Sequence, residues 1–133
     1  MNQVLFSSTS DHWETPKELF YELDSEFLFN FDPCPLLAEE SGLLVQWSGR
    51  VFCNPPYSKI ADFLRKGLFF LAAEKVKILV YLLPARTDTK WFHDYCMKAK
   101  EIRFLRGRLK FGNALHNAPF PSMVVIFDRW DLD

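Results

Sequence analysis

Arg50-Val51-Phe52-Cys53 runs directly into Asn54-Pro55-Pro56-Tyr57, and the chain then continues with Ser58. Residues 58–74 place Ile60, Phe63, Leu64, Leu68 and Leu71 on one face of a predicted helix. Residues 76–83 follow as an apolar run that stops at Pro84, the length and composition of a buried strand. A strand, a diproline corner, an amphipathic helix and a second strand in succession predict an α/β chain. Its sheet should contain parallel strands, with helices on its faces.

Outward from this segment the same alternation continues. Thr15-Pro16 opens a predicted helix, with Thr15 as its cap, Pro16 in the first helical position, and Leu19, Phe20 and Leu23 at helical spacing. Residues 27–31 read as a short strand that ends at Asp32-Pro33-Cys34-Pro35. Residues 36–49 are loop-like. Further on, 89–99 predict a helix, 101–105 a strand, 106–111 an exposed turn and strand, and 122–127 the last strand. Asp32-Pro33-Cys34, Asn54 to Tyr57 and Pro84-Ala85-Arg86 each follow a predicted strand. In a sheet of this class ligands sit beyond the carboxyl ends of the strands, so the three motifs should line a single crevice.

With 133 residues and no repeat, linker or low-complexity tract, the chain reads as one domain spanning 1–133. No apolar run approaches the roughly 20 residues of a membrane span, and the start lacks the pattern of a secretory signal. Cys34, Cys53 and Cys96 are too few and too scattered for a disulfide framework or a zinc site, so a cytoplasmic location and no metal are expected. The net charge of -1 hides an asymmetry: residues 1–40 carry nine acids and one base, and the remainder carries fifteen bases and eight acids. The densest basic stretch runs through Lys98, Lys100, Arg103, Arg106, Arg108 and Lys110. Such a face suits phosphate contact or a merely solvated surface, and charge alone does not choose between them.

Asn54-Pro55-Pro56-Tyr57 carries the most chemical information. Two prolines hold the backbone extended and remove two amide donors, leaving carbonyl oxygens as acceptors. The Asn54 side-chain oxygen adds another acceptor. Two acceptors aimed at one exocyclic amine satisfy its hydrogens and draw its nitrogen from the planar conjugated state towards a nucleophilic one. Tyr57 can stack on a base taken out of its helix. Catalysis of this kind rests on positioning and electrostatics, without a covalent nucleophile. The bland alternative is a proline-terminated strand followed by a helix capped by Ser58.

The chain resembles the phage-type DNA N6-adenine methyltransferases. The resemblance runs through Trp13-Glu14-Thr15-Pro16, Asp32-Pro33-Cys34, Phe52-Cys53-Asn54-Pro55-Pro56-Tyr57-Ser58, Leu83-Pro84-Ala85-Arg86-Thr87-Asp88-Thr89, Gly107-Arg108-Leu109-Lys110-Phe111 and Ala118-Pro119-Phe120-Pro121-Ser122. It implies a reduced Rossmann-like fold, S-adenosylmethionine as cofactor, and double-stranded DNA with a flipped adenine as partner. It places Thr15 and Pro16 at the methionine end of the cofactor, with Asp32, Pro33 and Cys34 lying against it, and gives Asn54, Pro55, Pro56 and Tyr57 the catalytic role. Phe120, or else Phe111, is expected as a second aromatic wall for the base. Arg86, Arg106, Arg108 and Lys110 are expected on DNA, the last three alternating along one face of a strand.

Two departures stand out. No glycine-rich cofactor loop is present, and Ser41-Gly42-Leu43 stands where the family pattern has Asp-Gly-Leu. Glu39 and Glu40 are the weak candidates left for a ribose contact. Competing readings are a catalytically silent DNA-binding domain of the same fold, a cytosine-N4 methyltransferase using the same electronics, a methyltransferase acting on a glutamine amide, and a cytosine-C5 enzyme with Cys34 as nucleophile. Nothing in the sequence requires a dimer.

Overall fold

Strand alternation assigns each residue to one side of the sheet. In a computed structural model, which describes residues 11–35 and 41–129, the second strand β2 (Val76–Pro84) is flanked by β1 (Gly49–Cys53) and β4 (Ser122–Asp128), and β3 (Glu101–Phe104) lies outside β4. Leu79, Tyr81 and Leu83 of β2 join Val51, Cys53, Met123, Val125 and Phe127 on one face. Val80 and Leu82 join Phe52, Val124 and Ile126 on the other. Both faces are therefore apolar, and each needs a helical cover.

Helix α2 (Ile60–Ala72) covers the first face with Ile60, Phe63, Leu64 and Leu71. Helix α1 (Lys17–Phe27) covers the second with Leu23 and Phe27. The sheet is mixed. β1 and β2 run parallel, with Phe52 opposite Val80, whereas β2–β4 and β3–β4 are antiparallel. Gly67 marks the tightest approach of α2 to the sheet: a Cβ there would lie 2.1 Å from the Tyr81 hydroxyl, which donates to the Phe63 carbonyl at 2.7 Å.

Five sequence expectations are corrected. Residues 27–31 do not form a strand: Phe27 ends α1, and Leu28 takes a left-handed conformation (φ 55°) with its N–H on the Asp24 carbonyl. Phe31 keeps a single parallel bridge to Val51, which is enough to carry Asp32 to the end of β1. Thr15 does not cap α1. Pro16 takes the cap position and offers no side-chain bond. Nor does Ser58 cap a helix, because a 3-10 turn (Tyr57–Lys59) precedes α2. The helix expected over 89–99 is short, α3 (Lys90–Asp94) followed by a 3-10 turn (Cys96–Lys98), although Thr89 does cap it, accepting from the Phe92 N–H at 3.2 Å. Finally, no strand follows β3 over 106–111, because Gly107 turns the chain at φ 77°.

Among the described residues no helix is long and apolar enough to cross a membrane.

Candidate active site

Asn54 leaves the carboxyl end of β1 with 3% of its surface exposed. Its side-chain nitrogen donates to the Trp13 carbonyl and, at 3.0 Å, to the Thr15 hydroxyl. The Trp13 carbonyl can only accept, so the amide is held in one orientation. Its oxygen, Oδ1, is buried and has no hydrogen bond among the described residues. A buried acceptor left unpaired costs roughly 1–3 kcal/mol, so one inside an otherwise well-bonded loop marks a place prepared for a donor.

The backbone of the corner is equally selective. His12 Nε2 meets the Asn54 carbonyl at 3.1 Å, which makes it the protonated nitrogen of a neutral ring; burial lowers the affinity of this imidazole for a second proton. The Pro56 carbonyl accepts from Lys59 N–H at 3.0 Å. Of the three carbonyls from Asn54 to Pro56, Pro55's alone has no hydrogen bond among the described residues. Two unsatisfied oxygens, Asn54 Oδ1 and Pro55 O, thus remain at the diproline corner.

Residues 11–15 act as a strap across this corner. The Asp11 carboxylate takes the Ser58 N–H at 2.8 Å and its hydroxyl at 3.0 Å. Glu14 donates its N–H to Asn113 Oδ1 at 2.8 Å and accepts from Gly112 N–H at 2.8 Å, while Asn113 Nδ2 donates to the His12 carbonyl. The Glu14 side chain lies close over Gly112: a Cβ there would fall 2.3 Å from a carboxylate oxygen, which would have to swing aside. The strap therefore joins the loop after β1 to the segment before β4.

A hollow of about 330 Å³ opens beside Asn54, lined by Thr15, Lys17, Phe20, Tyr21, Asp32 and Cys34 among others. Its size falls at the lower end of small-molecule sites. Asp32 keeps an open surface but is crowded by protein, and this crowding pushes its carboxyl up to about 6 against the pull of the Cys34 N–H, which it accepts at 2.8 Å. The open surface limits how far such a shift can go, so its upward direction is what matters here. Burial, with Asp32 close by, pushes the Cys34 thiol up to about 12. That direction opposes the thiolate which the cytosine-C5 reading requires, although the His12 Nε2 lies 3.6 Å from the sulfur.

Of the expected cofactor residues, Thr15, Asp32 and Cys34 line this hollow; Pro16 and Pro33 do not. Pro33 is buried instead, with its carbonyl pressed so tightly on Gly42 that a Cβ there would lie 2.0 Å away. Ser41 accepts from Leu43 N–H, and the Gly42 carbonyl accepts from the Trp47 indole at 2.8 Å. The Ser41-Gly42-Leu43 turn is thus locked into the fold. Glu39 and Glu40 lie outside the described residues.

A family model described as DNA N-6-adenine-methyltransferase (Dam) matches residues 3–132. The chain belongs to this family. A DNA N-6-adenine-methyltransferase of Haemophilus phage HP1 is 30% identical over 91% of this chain and 80% of its own length. One of Escherichia phage T1 is 30% identical over 74% of this chain and 46% of its own length. No solved structure matches the chain significantly.

In this Dam-family chain the four residues expected on DNA, Arg86, Arg106, Arg108 and Lys110, are all exposed. Arg86 is not part of the hollow, but its charge reaches the Tyr57 hydroxyl, whose pKa burial raises. Arg106, Arg108 and Lys110 sit in a loop and not along a strand face. None of the three pairs with a carboxylate among the described residues. Arg103, by contrast, is engaged by Glu26 and Glu101, and Lys100 by Asp128. Phe111 and Phe120, 1% and 8% exposed, lie in the core cluster beneath the strap. Sequence reasoning missed Asp11, His12 and Asn113; nothing in their local sequence marks them, because each acts across a long separation. Among the described residues no group of three or more His, Cys, Asp or Glu could hold a metal ion.

Proposed function

We propose that this chain transfers a methyl group from S-adenosylmethionine to the N6 amine of adenine in double-stranded DNA, acting on a base drawn out of the stack. The observation that carries the reading is Asn54 Oδ1: a buried acceptor with no partner, held by a locked amide at the carboxyl end of a parallel strand. In this reading the four-stranded mixed sheet is a reduced Rossmann-like core.

The hollow suits the cofactor by its chemistry. Asp32 offers a carboxylate to an ammonium, Lys17 a cation to a carboxylate, and Phe20, Tyr21 and Phe52 offer aromatic surface near a sulfonium and a purine. When bound, S-adenosylmethionine supplies an electrophilic methyl group. The chain does the rest by placement. Asn54 Oδ1 and the Pro55 carbonyl accept the two hydrogens of the adenine amine, which favours the pyramidal nitrogen with its lone pair available. His12 and Thr15 fix the loop that carries those oxygens, so that little reorganisation is needed when charge develops. Tyr57 stacks on the base. Arg86, Arg106, Arg108 and Lys110 contact phosphate.

The test is transfer of labelled methyl from S-adenosylmethionine to DNA, nucleoside digestion, and mapping of the modified position. N6-methyladenine is the expected product. N4-methylcytosine would move the substrate to the other amino base, and absence of both transfer and cofactor binding would leave a silent DNA-binding domain.

A further inference from the structure

Tyr57 needs a partner across the base, and neither buried phenylalanine presents a free face for it. Trp13 does. Its ring is only half-buried and lies 6.3 Å from Tyr57 between centroids, at 43°. Both rings are backed by phenylalanines. Phe111 backs Trp13 at 5.6 Å, Phe120 meets Tyr57 edge-on at 5.1 Å, and the two phenylalanines touch each other at 6.2 Å. Phe120 meets Trp13 edge-on as well, at 6.5 Å. Trp13 also forms part of the wall of the hollow beside Asn54 and of a second one of about 310 Å³, lined by residues 113–119.

We infer that Trp13 is the second wall of the adenine slot, so that the extruded base inserts between the Trp13 and Tyr57 rings. This rests on the methyltransferase reading above. A base between two rings needs two parallel stacking separations, about 7–8 Å in all. The rings stand 6.3 Å apart at 43°, so Trp13 must swing parallel to Tyr57 and move outward by about 1–2 Å to admit the base. Among the described residues nothing polar holds its ring back, because the buried indole N–H has no acceptor there. The Trp13 carbonyl, meanwhile, is bonded to the Asn54 amide. One residue thus carries a stacking face on its side chain and the anchor of the amine acceptor on its backbone, which sets base and acceptor in register.

The experiment uses the full chain with S-adenosylhomocysteine and two duplexes: one with the mapped methylation site, one with an abasic position in place of the target adenine. Wild type is expected to prefer the adenine duplex. Trp13→Leu keeps apolar bulk against Phe111 but has no flat face, and should lose that preference by about tenfold or more while binding the abasic duplex as before. Trp13→Phe should retain most of the preference and, with thermal unfolding, shows that the fold survives at this position. With 2-aminopurine as the target base, its complex with Trp13→Leu should be brighter than with wild type. If Trp13→Leu keeps the preference, or weakens both duplexes alike, Trp13 is a structural residue and the inference is overturned while methyl transfer by wild type stands. A wild-type protein that transfers no methyl brings down the reading beneath it as well.

Discussion

The Thr15 hydroxyl accepts a hydrogen bond from the Asn54 side chain at 3.0 Å, joining the start of α1 to the corner after β1 across 39 residues of sequence. That bond explains why Thr15 is absent from its expected place as a helix cap. It helps to decide which way the Asn54 amide faces. Thr15→Val, nearly the same shape but without the acceptor, should lower kcat for methyl transfer by about tenfold, as expected for loss of one positioning hydrogen bond. Thr15→Ser should restore it. Steady-state kinetics on both variants, with circular dichroism to confirm the fold, checks this.

Asn54→Ala removes the unpaired oxygen itself. Loss of a single preorganised group of this kind costs about 10²–10³ in kcat. The same change removes the amide nitrogen's bonds to the Trp13 carbonyl and the Thr15 hydroxyl, so it should also cost about 1–3 kcal/mol of stability, and turnover is read on protein shown to be folded by circular dichroism. Asn54→Asp is a harsher test of geometry. It would set a carboxylate oxygen against the Trp13 carbonyl and should lower the unfolding midpoint in urea. Turnover of Asn54→Ala equal to wild type would rule out the amine-acceptor role.

The raised carboxyl of Asp32 gives two pH dependences. Its folded value of about 6 lies above the unfolded value near 3.8, so between those pH values the folded state holds more protons. Its contribution to stability therefore falls as pH rises through that window and is level above about 6. Cofactor binding should run the other way, since an ammonium partner favours the ionised form: affinity should rise as pH passes about 6. Asp32→Asn should flatten both trends. Calorimetric titration with S-adenosylmethionine between pH 5 and 8 measures the second directly.

Arg103 and its basic neighbours should separate cleanly. Arg103 forks onto both carboxylate oxygens of Glu26 and also meets Glu101, all at the surface, so Arg103→Ala should cost about 0.2–1 kcal/mol of stability and leave DNA binding almost unchanged. Arg106→Ala, Arg108→Ala and Lys110→Ala should leave the unfolding midpoint alone. Each should reduce the slope of log affinity against log salt by about one. Binding isotherms at several salt concentrations distinguish the two behaviours.

The strand–corner–helix–strand core was readable from residues 50–83 because its periodicity is local and its two breakers, Pro55 and Pro84, mark the strand ends. The single crevice expected of three strand-end motifs was met only in part: Asp32 and Asn54 share one hollow, but Pro84, Ala85 and Arg86 do not line it, and what precedes Asp32 is a single bridge, not a strand. What failed depended on distant partners or single dihedral angles. Leu28 turned a predicted strand into the end of a helix, and Gly107 turned a predicted strand into a loop. Ser58 looked like a helix cap but is bonded by Asp11, 47 residues away. Phe111 and Phe120 looked like base walls because aromatic rings serve cores and ligands equally well, and only burial separates the two uses.

The clasp between residues 11–15 and Asn113 has a consequence for synthesis. Its hydrogen bonds span 99 and 101 positions of the chain, so its two halves emerge from the ribosome that many residues apart. Until Asn113 arrives, Glu14 lacks that partner and the loop holding Asn54 is braced from one side only. The nascent chain should thus acquire its helices and the β1–β2 pair early, and become competent for chemistry only once Asn113 has emerged.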